Sequence, residues 1–107
     1  MAKYLFIESR DPFQNLDVKK TWDLACGLAK KGHGVTMFLV QNGVLAARKG
    51  AAVSTLTANE DISVFADDLS LAERGMTGDD LCDSVSLETI DRLTAILMED
   101  GCRPIWN

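Results

Sequence analysis

Residues Lys30–Gly43 read KKGHGVTMFLVQNG, and this segment decides the fold class of the 107-residue chain. The run Val35–Val40 is apolar or β-branched throughout and does not alternate with polar residues, which is typical of a strand buried on both faces of a parallel sheet. The two lysines and the glycine before it predict the end of a helix, because cations favour the last turn and glycine adopts the left-handed cap. The segment therefore predicts a helix-to-strand turn in an α/β domain.

The flanking sequence alternates further strands and helices. The predicted strands are Lys3–Ser9, Val35–Val40, Ile62–Ala66 and Arg103–Trp106. The first predicted helix is long, is capped by Asp17 and runs to Lys31, and short helices are predicted over residues 43–50 and 67–74. The last predicted helix is capped by Ser86 and ended by Gly101. Loops are predicted over residues 51–61 and 77–84. This order predicts a three-layer sandwich with a mainly parallel sheet of four to five strands. Pro104 lacks a backbone donor, so its strand is expected at a sheet edge.

Composition narrows the function classes. The net charge is -5 and the basic residues are scattered, which argues against a nucleic-acid partner. No apolar run reaches the ~18 residues of a membrane span, so we expect no membrane partner, a cytoplasmic protein and a single domain over residues 1–107. The three cysteines are odd in number, widely spaced and without a C-x-x-C pair, so we expect free thiols, no disulfide framework and no metal site.

The usual catalytic motifs are missing from the sequence. The loop after the first strand, Arg10–Asn15, is acidic and carries a proline, so neither a G-x-G-x-x-G nor a Walker motif follows that strand. His33 is the single histidine and lies at the amino end of its strand, where we expect a solvated turn residue. We therefore expect no cofactor and lean towards a protein that is not an enzyme.

One polar region does suggest a binding crevice. The carboxyl ends of parallel strands meet at one edge of a sheet, and ligands of open α/β sheets bind there. The residues expected to line this crevice are Ser9, Asp11, Gln14, Gln41, Asn42, Gly43, Asp67 and Asp68. A small-molecule or nucleotide-binding module that uses this crevice is therefore an alternative function.

Two segments together resemble a known family. These are KKGHGVTMFLVQNGV, which starts at Lys30, and VFADDLSLAERGM, which starts at Val64. In their order and spacing they resemble the DsrE/DsrF-like family, which includes the TusD-like sulfur-relay proteins. The resemblance implies a flavodoxin-like or DsrE-like topology, assembly into trimers or hexamers, and contact with sulfur-relay partner proteins.

The resemblance also identifies a site position. Several family members carry sulfur as a persulfide on a cysteine just after the strand that Ile62–Ala66 resembles, and this sequence has Asp67 there, followed by Asp68. A carboxylate can cap the following helix but cannot carry sulfur, so Asp67 and Asp68 are predicted helix caps. Among the thiols, Cys26 and Cys102 are expected to pack in the interior, and Cys82 is the candidate sulfur acceptor because it should be the most accessible.

Overall fold

The computed structural model describes residues 1–50 and 61–107, and its centre is a parallel sheet of five strands. The strands are β1 (Lys3–Glu8), β2 (Gly34–Leu39), β3 (Ile62–Asp67), β4 (Val85–Glu88) and β5 (Cys102–Trp106), in the spatial order β4-β3-β2-β1-β5. Every pairing is parallel. The predicted α/β class and the predicted mainly parallel sheet of four to five strands are confirmed.

The strand that decided the fold class lies in the middle of this sheet. β2 pairs with β1 on one side and with β3 on the other, and Val35, Met37, Phe38 and Leu39 are buried. The unbroken apolar run is explained by helices on both faces, which bury the second half of the strand, Met37–Leu39, on both sides. β5 is an edge strand, as Pro104 predicted.

In residues 1–50 and 61–107, three α-helices and two 3-10 helices connect the strands. The α-helices are α1 (Asp17–Lys30), α2 (Asp68–Glu73) and α3 (Ile90–Leu97), and the 3-10 helices cover Gln41–Ala47 and Gly78–Asp80. The predicted cap at Asp17 is wrong by one residue: Leu16 is the N-cap, and the Asp17 N–H donates to Asn15 Oδ1 at 3.0 Å. The Asn15 side chain stabilises the turn that precedes the helix, and Asp17 is the first residue of the helix.

The prediction for the last helix is wrong at its start. Ser86, the expected cap, lies inside β4, and Thr89 is the N-cap of α3. β4 pairs with β3 from Val64–Val85 to Asp67–Glu88, so pairing within the sheet overrides the local helix-start signal. Of the loop expected over residues 51–61, residues 51–60 lie outside the described part of the chain, and Asp61 is in a turn.

The two faces of the sheet are covered unequally. On one face the larger core cluster includes Phe6 of β1, Trp22 of α1 and Leu71 of α2. On the other face a smaller cluster packs β1 and Phe38 against Leu93 and Ile96 of α3. Among the described residues, no helix is long and apolar enough to span a membrane. The unequal cover leaves more of the sheet accessible on the α3 side.

Candidate functional site

Three strands end together at one edge of the sheet, which we call the carboxyl edge. The Val40 N–H donates to the Glu8 carbonyl oxygen at 3.0 Å and so joins the end of β1 to the residue after β2. The Gln41 N–H donates to Ser70 Oγ at 2.8 Å and joins the same turn to α2. The segments predicted to line a crevice therefore do converge at the carboxyl edge.

Asp67 lies at the centre of this edge. It is the last residue of β3 and the N-cap of α2, and only 6% of it is exposed. Its Oδ2 accepts hydrogen bonds from the Ser70 N–H at 3.1 Å and from Ser70 Oγ at 2.6 Å, which confirms the predicted cap. Its Oδ1 is buried and has no hydrogen-bond partner among the described residues. Asp67 therefore combines a structural role with one unused acceptor atom.

The turn after β2 has an unusual backbone. Gln41 has φ 50°, and among the described residues other than glycine it alone has a positive φ. Two residues later, Gly43 packs against the backbone at the end of β1, where an added Cβ would lie 2.1 Å from the Glu8 carbonyl oxygen. Only glycine fits that position, and the strained residue beside it is held by the hydrogen bond to Ser70.

A buried ion pair stabilises the end of β1. Glu8 is 1% exposed, and Arg10 donates to its two carboxylate oxygens from Nε at 3.1 Å and from Nη2 at 3.0 Å. The same Nη2 donates to Thr21 Oγ1 at 3.1 Å, which connects the pair to α1. The hydrogen bonding with Glu8 raises the pKa of Arg10 above its ordinary value, and the charges of Glu8 and Asp17 add to this effect while burial opposes it. Arg10 is therefore a permanent cation.

Sequence reasoning did not place Glu8 or Ser70 in the site and did not pair Arg10 with Glu8. A carboxylate that ends an otherwise apolar strand, with a cation two residues later, is the signal that could have indicated the ion pair. A serine three residues after a predicted N-cap is the signal for the second bond to Asp67.

Two of the predicted crevice residues in the loop between β1 and α1, Ser9 and Asp11, form hydrogen bonds to other residues of the chain. Ser9 Oγ donates to the Asn107 carbonyl oxygen at 2.7 Å. Asp11 Oδ1 accepts from the Phe13 N–H at 2.9 Å and stabilises a turn, while Gln14 is exposed. This loop is therefore held by its own polar side chains.

Asn42, a predicted crevice residue near α2, also forms a hydrogen bond within the chain. Asn42 Oδ1 accepts from Arg74 Nε at 3.0 Å, and Arg74 Nη1 donates to the Ser70 carbonyl oxygen at 3.0 Å. Asp68 is the first residue of α2 and is exposed. The arginine thus braces the strained turn against the helix, and Asp68 is the carboxylate that faces solvent.

The thiols lie in three separate parts of the chain. Cys82 precedes β4, and its Sγ donates to the Arg48 carbonyl oxygen at 3.3 Å. Cys102 begins β5, where burial raises the pKa of its thiol and Glu99 adds to the rise, against an opposing effect of Lys3. Cys26 is in the second half of α1 and packs against the larger core. All three are half-buried, and Cys102, the first residue of its strand, lies at the opposite edge of the sheet from Asp67.

A cavity of about 300 Å³ opens at the amino ends of the strands, on the α3 side. Its lining includes Lys3, Thr36, Ser63, Glu99 and Cys102. It lies at the opposite edge from the crevice that the sequence predicted. Within the described residues, no cluster of three or more histidine, cysteine or acidic side chains could hold a metal ion.

His33 has a structural role at this amino edge. Its Nδ1 accepts from the Ala2 N–H at 2.9 Å, and its ring meets Tyr4 edge-on with centroids 5.4 Å apart. His33 lies in the predicted turn, where it is half-buried and accepts the hydrogen bond from Ala2.

The chain is a small α/β protein with an all-parallel sheet, and solved structures share this fold over their whole length. It is similar to MTH1491 of Methanobacterium thermoautotrophicum, a protein of unknown function, with 20% identity and a TM-score of 0.81 over 100% of both chains. It is also similar to the ychN protein of E. coli, with 18% identity and a TM-score of 0.83 over 98% of this chain and 100% of that one. Neither a protein-family model nor a curated protein matches the chain. The likeness establishes the fold.

Proposed function

We propose that this chain is a DsrE-like component of a sulfur-relay system that acts through protein–protein contact and does not itself carry persulfide. The observation that supports the proposal is Asp67, which takes the place of the carrier cysteine in the family resemblance. Its carboxylate is buried and bonded twice to Ser70. At this position the chain therefore has a structural cap instead of a sulfur nucleophile.

The chemistry of sulfur transfer supports the same proposal. A persulfide forms when a thiolate attacks a sulfane sulfur, so a carrier needs an accessible thiol with a low pKa. Cys102 has a raised pKa, and Cys82 donates its thiol hydrogen to a carbonyl oxygen. The raised pKa favours the neutral thiol of Cys102. Cys82 stays the candidate acceptor if transfer does occur, because it was predicted to be the most accessible of the three.

The proposal extends to assembly and location. We propose a cytoplasmic protein that forms a trimer or hexamer and contacts sulfur-relay partner proteins, as the family resemblance implies. An open sheet with two edge strands supports self-association. Sedimentation velocity tests this part of the proposal, and a monomer at all concentrations would contradict it.

Intact-mass spectrometry after incubation with a low-molecular-weight persulfide donor tests the absence of carrier activity. We expect no adduct of about 32 Da, the mass of one sulfur atom, on the native protein. An adduct that disappears in Cys82→Ser would overturn the proposal. Asp67→Cys is the matched variant for this position: the Ser70 N–H and hydroxyl donors favour a thiolate there, so an adduct on this variant alone would show that the missing cysteine, and not the burial of the position, prevents transfer.

A small-molecule or nucleotide-binding module is the second candidate function. It is favoured by the buried Oδ1 of Asp67, an acceptor without a partner among the described residues, beside the strained Gln41. A thermal-shift screen with nucleotides and flavins tests this candidate. A rise in melting temperature that Asp67→Asn abolishes would support it, and no shift across the panel would count against it.

A further inference from the structure

The large apolar side chains that the fold leaves exposed are concentrated at the carboxyl edge. Of ten such residues in the described part of the chain, six lie there: Phe13, Leu16, Leu69, Leu87, Ile90 and Trp106. The other four are Met1, Leu24, Leu97 and Met98. Scattered exposed apolar residues are ordinary on a protein surface, but a concentration around one edge indicates a contact surface.

Three of the six lie on elements at the β4 end of this edge, and we call them the β4 patch: Leu69, Leu87 and Ile90. Their exposed fractions are 65%, 46% and 53%. Leu87 is in β4 opposite Ala66, the residue before Asp67, and Leu69 is the second residue of α2. Ile90 begins α3 two residues after the end of β4. The β4 patch therefore lies directly beside the capped carboxylate.

Each member of the β4 patch has a carboxylate next to it in the sequence. Asp68 precedes Leu69, Glu88 follows Leu87 and Asp91 follows Ile90. Arg74 bonds Asn42 and Ser70, whereas Arg92 lies over the ring of Phe65 at 5.6 Å, and Phe65 is in register with Ser86 of β4. Leu87 and Glu88 project from opposite faces of β4, because they are neighbours in a strand. The β4 patch is thus apolar and is flanked in the sequence by three carboxylates and by Arg92.

These charges indicate the chemistry of the occupant. A second copy would bring the same carboxylates to the contact and add its own net charge of -5, so like charges would oppose one another. A partner with lysine or arginine beside apolar side chains would be complementary in both respects. We therefore favour a basic partner segment over a second copy at this surface.

The position of β4 in the sheet indicates how such a segment can lie. β4 is the first strand in the spatial order, and no strand of the described residues pairs with its outer side. An edge strand offers backbone N–H and C=O groups to an added strand. The opposite edge, β5, contains Pro104, which cannot donate a hydrogen bond. Strand addition is therefore better suited to β4.

We propose that the β4 patch and the outer side of β4 bind an extended segment of a partner protein that alternates apolar and basic side chains. In such a segment the backbone pairs with β4, one face packs on Leu87 and its neighbours, and the cations meet Glu88 and Asp91. This inference rests on the proposed role in protein–protein contact and names the chemistry of the partner.

Peptide titration followed by amide NMR tests the inference. The probe is an acetylated, amidated peptide of alternating valine and lysine, roughly seven residues long, which matches a typical strand. The matched control peptide has glutamate in place of lysine. We expect the valine–lysine peptide to shift the amide signals of residues 68–69 and 85–91 and the valine–glutamate peptide to bind at least about tenfold more weakly.

Two variants locate the site and test its charge. Leu87→Ser should weaken binding of the valine–lysine peptide roughly tenfold, whereas Met98→Ser, an exposed apolar residue outside the β4 patch, should leave it unchanged. The double variant Glu88→Lys and Asp91→Lys should reverse the preference between the two peptides. These exposed or half-buried positions are suited to substitution without loss of the fold, which the NMR spectrum itself verifies.

Four outcomes would overturn the inference: no signal shifts, equal binding of both peptides, shifts confined to another surface, or shifts of the β4-patch signals with protein concentration alone. The last would identify the surface as a contact between copies. Peptide binding and persulfide formation are measured in separate experiments. A failed peptide titration therefore leaves the sulfur-relay proposal to be decided by mass spectrometry. A persulfide adduct in the mass spectrum likewise leaves the binding inference to be decided by the titration.

Discussion

Ser70 Oγ lies 2.6 Å from Asp67 Oδ2 and, on its other side, 2.8 Å from the backbone nitrogen of Gln41. The hydroxyl donates to the carboxylate and accepts from the N–H, so one side chain connects the end of β3, the start of α2 and the turn after β2. This connection keeps the strained Gln41 in place and leaves Asp67 as part of the scaffold at the carboxyl edge.

We expect Asp67→Ala to lower the free energy of unfolding by about 1–3 kcal/mol, because it removes the α2 cap and leaves two donors of Ser70 without their acceptor. Urea unfolding followed by far-UV circular dichroism measures the change. Asp68→Ala is the matched control, since Asp68 is exposed and should change the stability by less than about 0.5 kcal/mol. Equal effects of the two substitutions would contradict the special role of Asp67.

Gly43→Ala should lower the free energy of unfolding by about 3 kcal/mol or more. The new Cβ would lie 2.1 Å from the Glu8 carbonyl oxygen, so backbone atoms must move. Gly27→Ala provides the opposite control. Gly27 is in α1 and an added Cβ meets nothing within 4 Å, so alanine should stabilise by about 0.5–1 kcal/mol. Thermal and urea unfolding of both variants check the pair, and the prediction fails if the signs agree.

Arg10→Ala should destabilise the fold by about 3 kcal/mol, because it leaves the carboxylate of Glu8, 1% exposed, without its bidentate partner. Lys20→Ala is the control for an exposed pair, since Lys20 and Asp17 are 3.7 Å apart with side chains 83% and 67% exposed. That substitution should change the stability by less than about 0.5 kcal/mol. Similar losses in both variants would show that burial of Glu8 is unimportant.

The raised pKa of Cys102 predicts a pH dependence of stability. The native state holds the thiol proton to higher pH than the unfolded chain does, so the unfolded state alone begins to lose that proton near the usual pKa of 9.0. The contribution is full below that pH and decreases as the pH rises towards the higher pKa of the native thiol. Cys102→Ala should lose this component, which urea unfolding at a series of pH values from 7 to about 10 measures.

Thiol alkylation provides an independent check on the same group. With iodoacetamide at pH 8, Cys102 should react more slowly than a free cysteine, because a smaller fraction of it is thiolate. Peptide mapping by mass spectrometry identifies the modified residue. Alkylation of Cys102 faster than that of the free amino acid would contradict the raised pKa.

Much of the architecture was predictable from local sequence. The unbroken run Val35–Val40 indicated a central parallel strand, and β2 is paired on both sides. Pro104 indicated an edge strand, and β5 is at an edge. Asp67 indicated a helix cap, and its carboxylate accepts the Ser70 N–H. Each of these predictions depended on periodicity, a missing donor or a cap, which are properties of a few neighbouring residues.

Other features depended on contacts that local sequence does not show. Ser86 has the character of a helix cap, yet its segment pairs with β3 and forms β4. Arg10 bonds Thr21 of α1 in addition to Glu8. Gly43 is required because the backbone at Glu8 passes within contact distance of it. In each case the partner is far away in the chain or its approach is set by packing.

The sequence by itself determined the α/β class, the order of most strands and helices, and the carboxylate that follows the third predicted strand. Only the tertiary structure decided that the Ser70 hydroxyl joins Asp67 to the backbone of Gln41, that Cys102 lies at the opposite edge of the sheet, and that exposed apolar side chains are concentrated at the carboxyl edge. The physical reason is the range of the interactions: hydrophobic period and capping are set by neighbouring residues, whereas a site forms where separate segments are packed together.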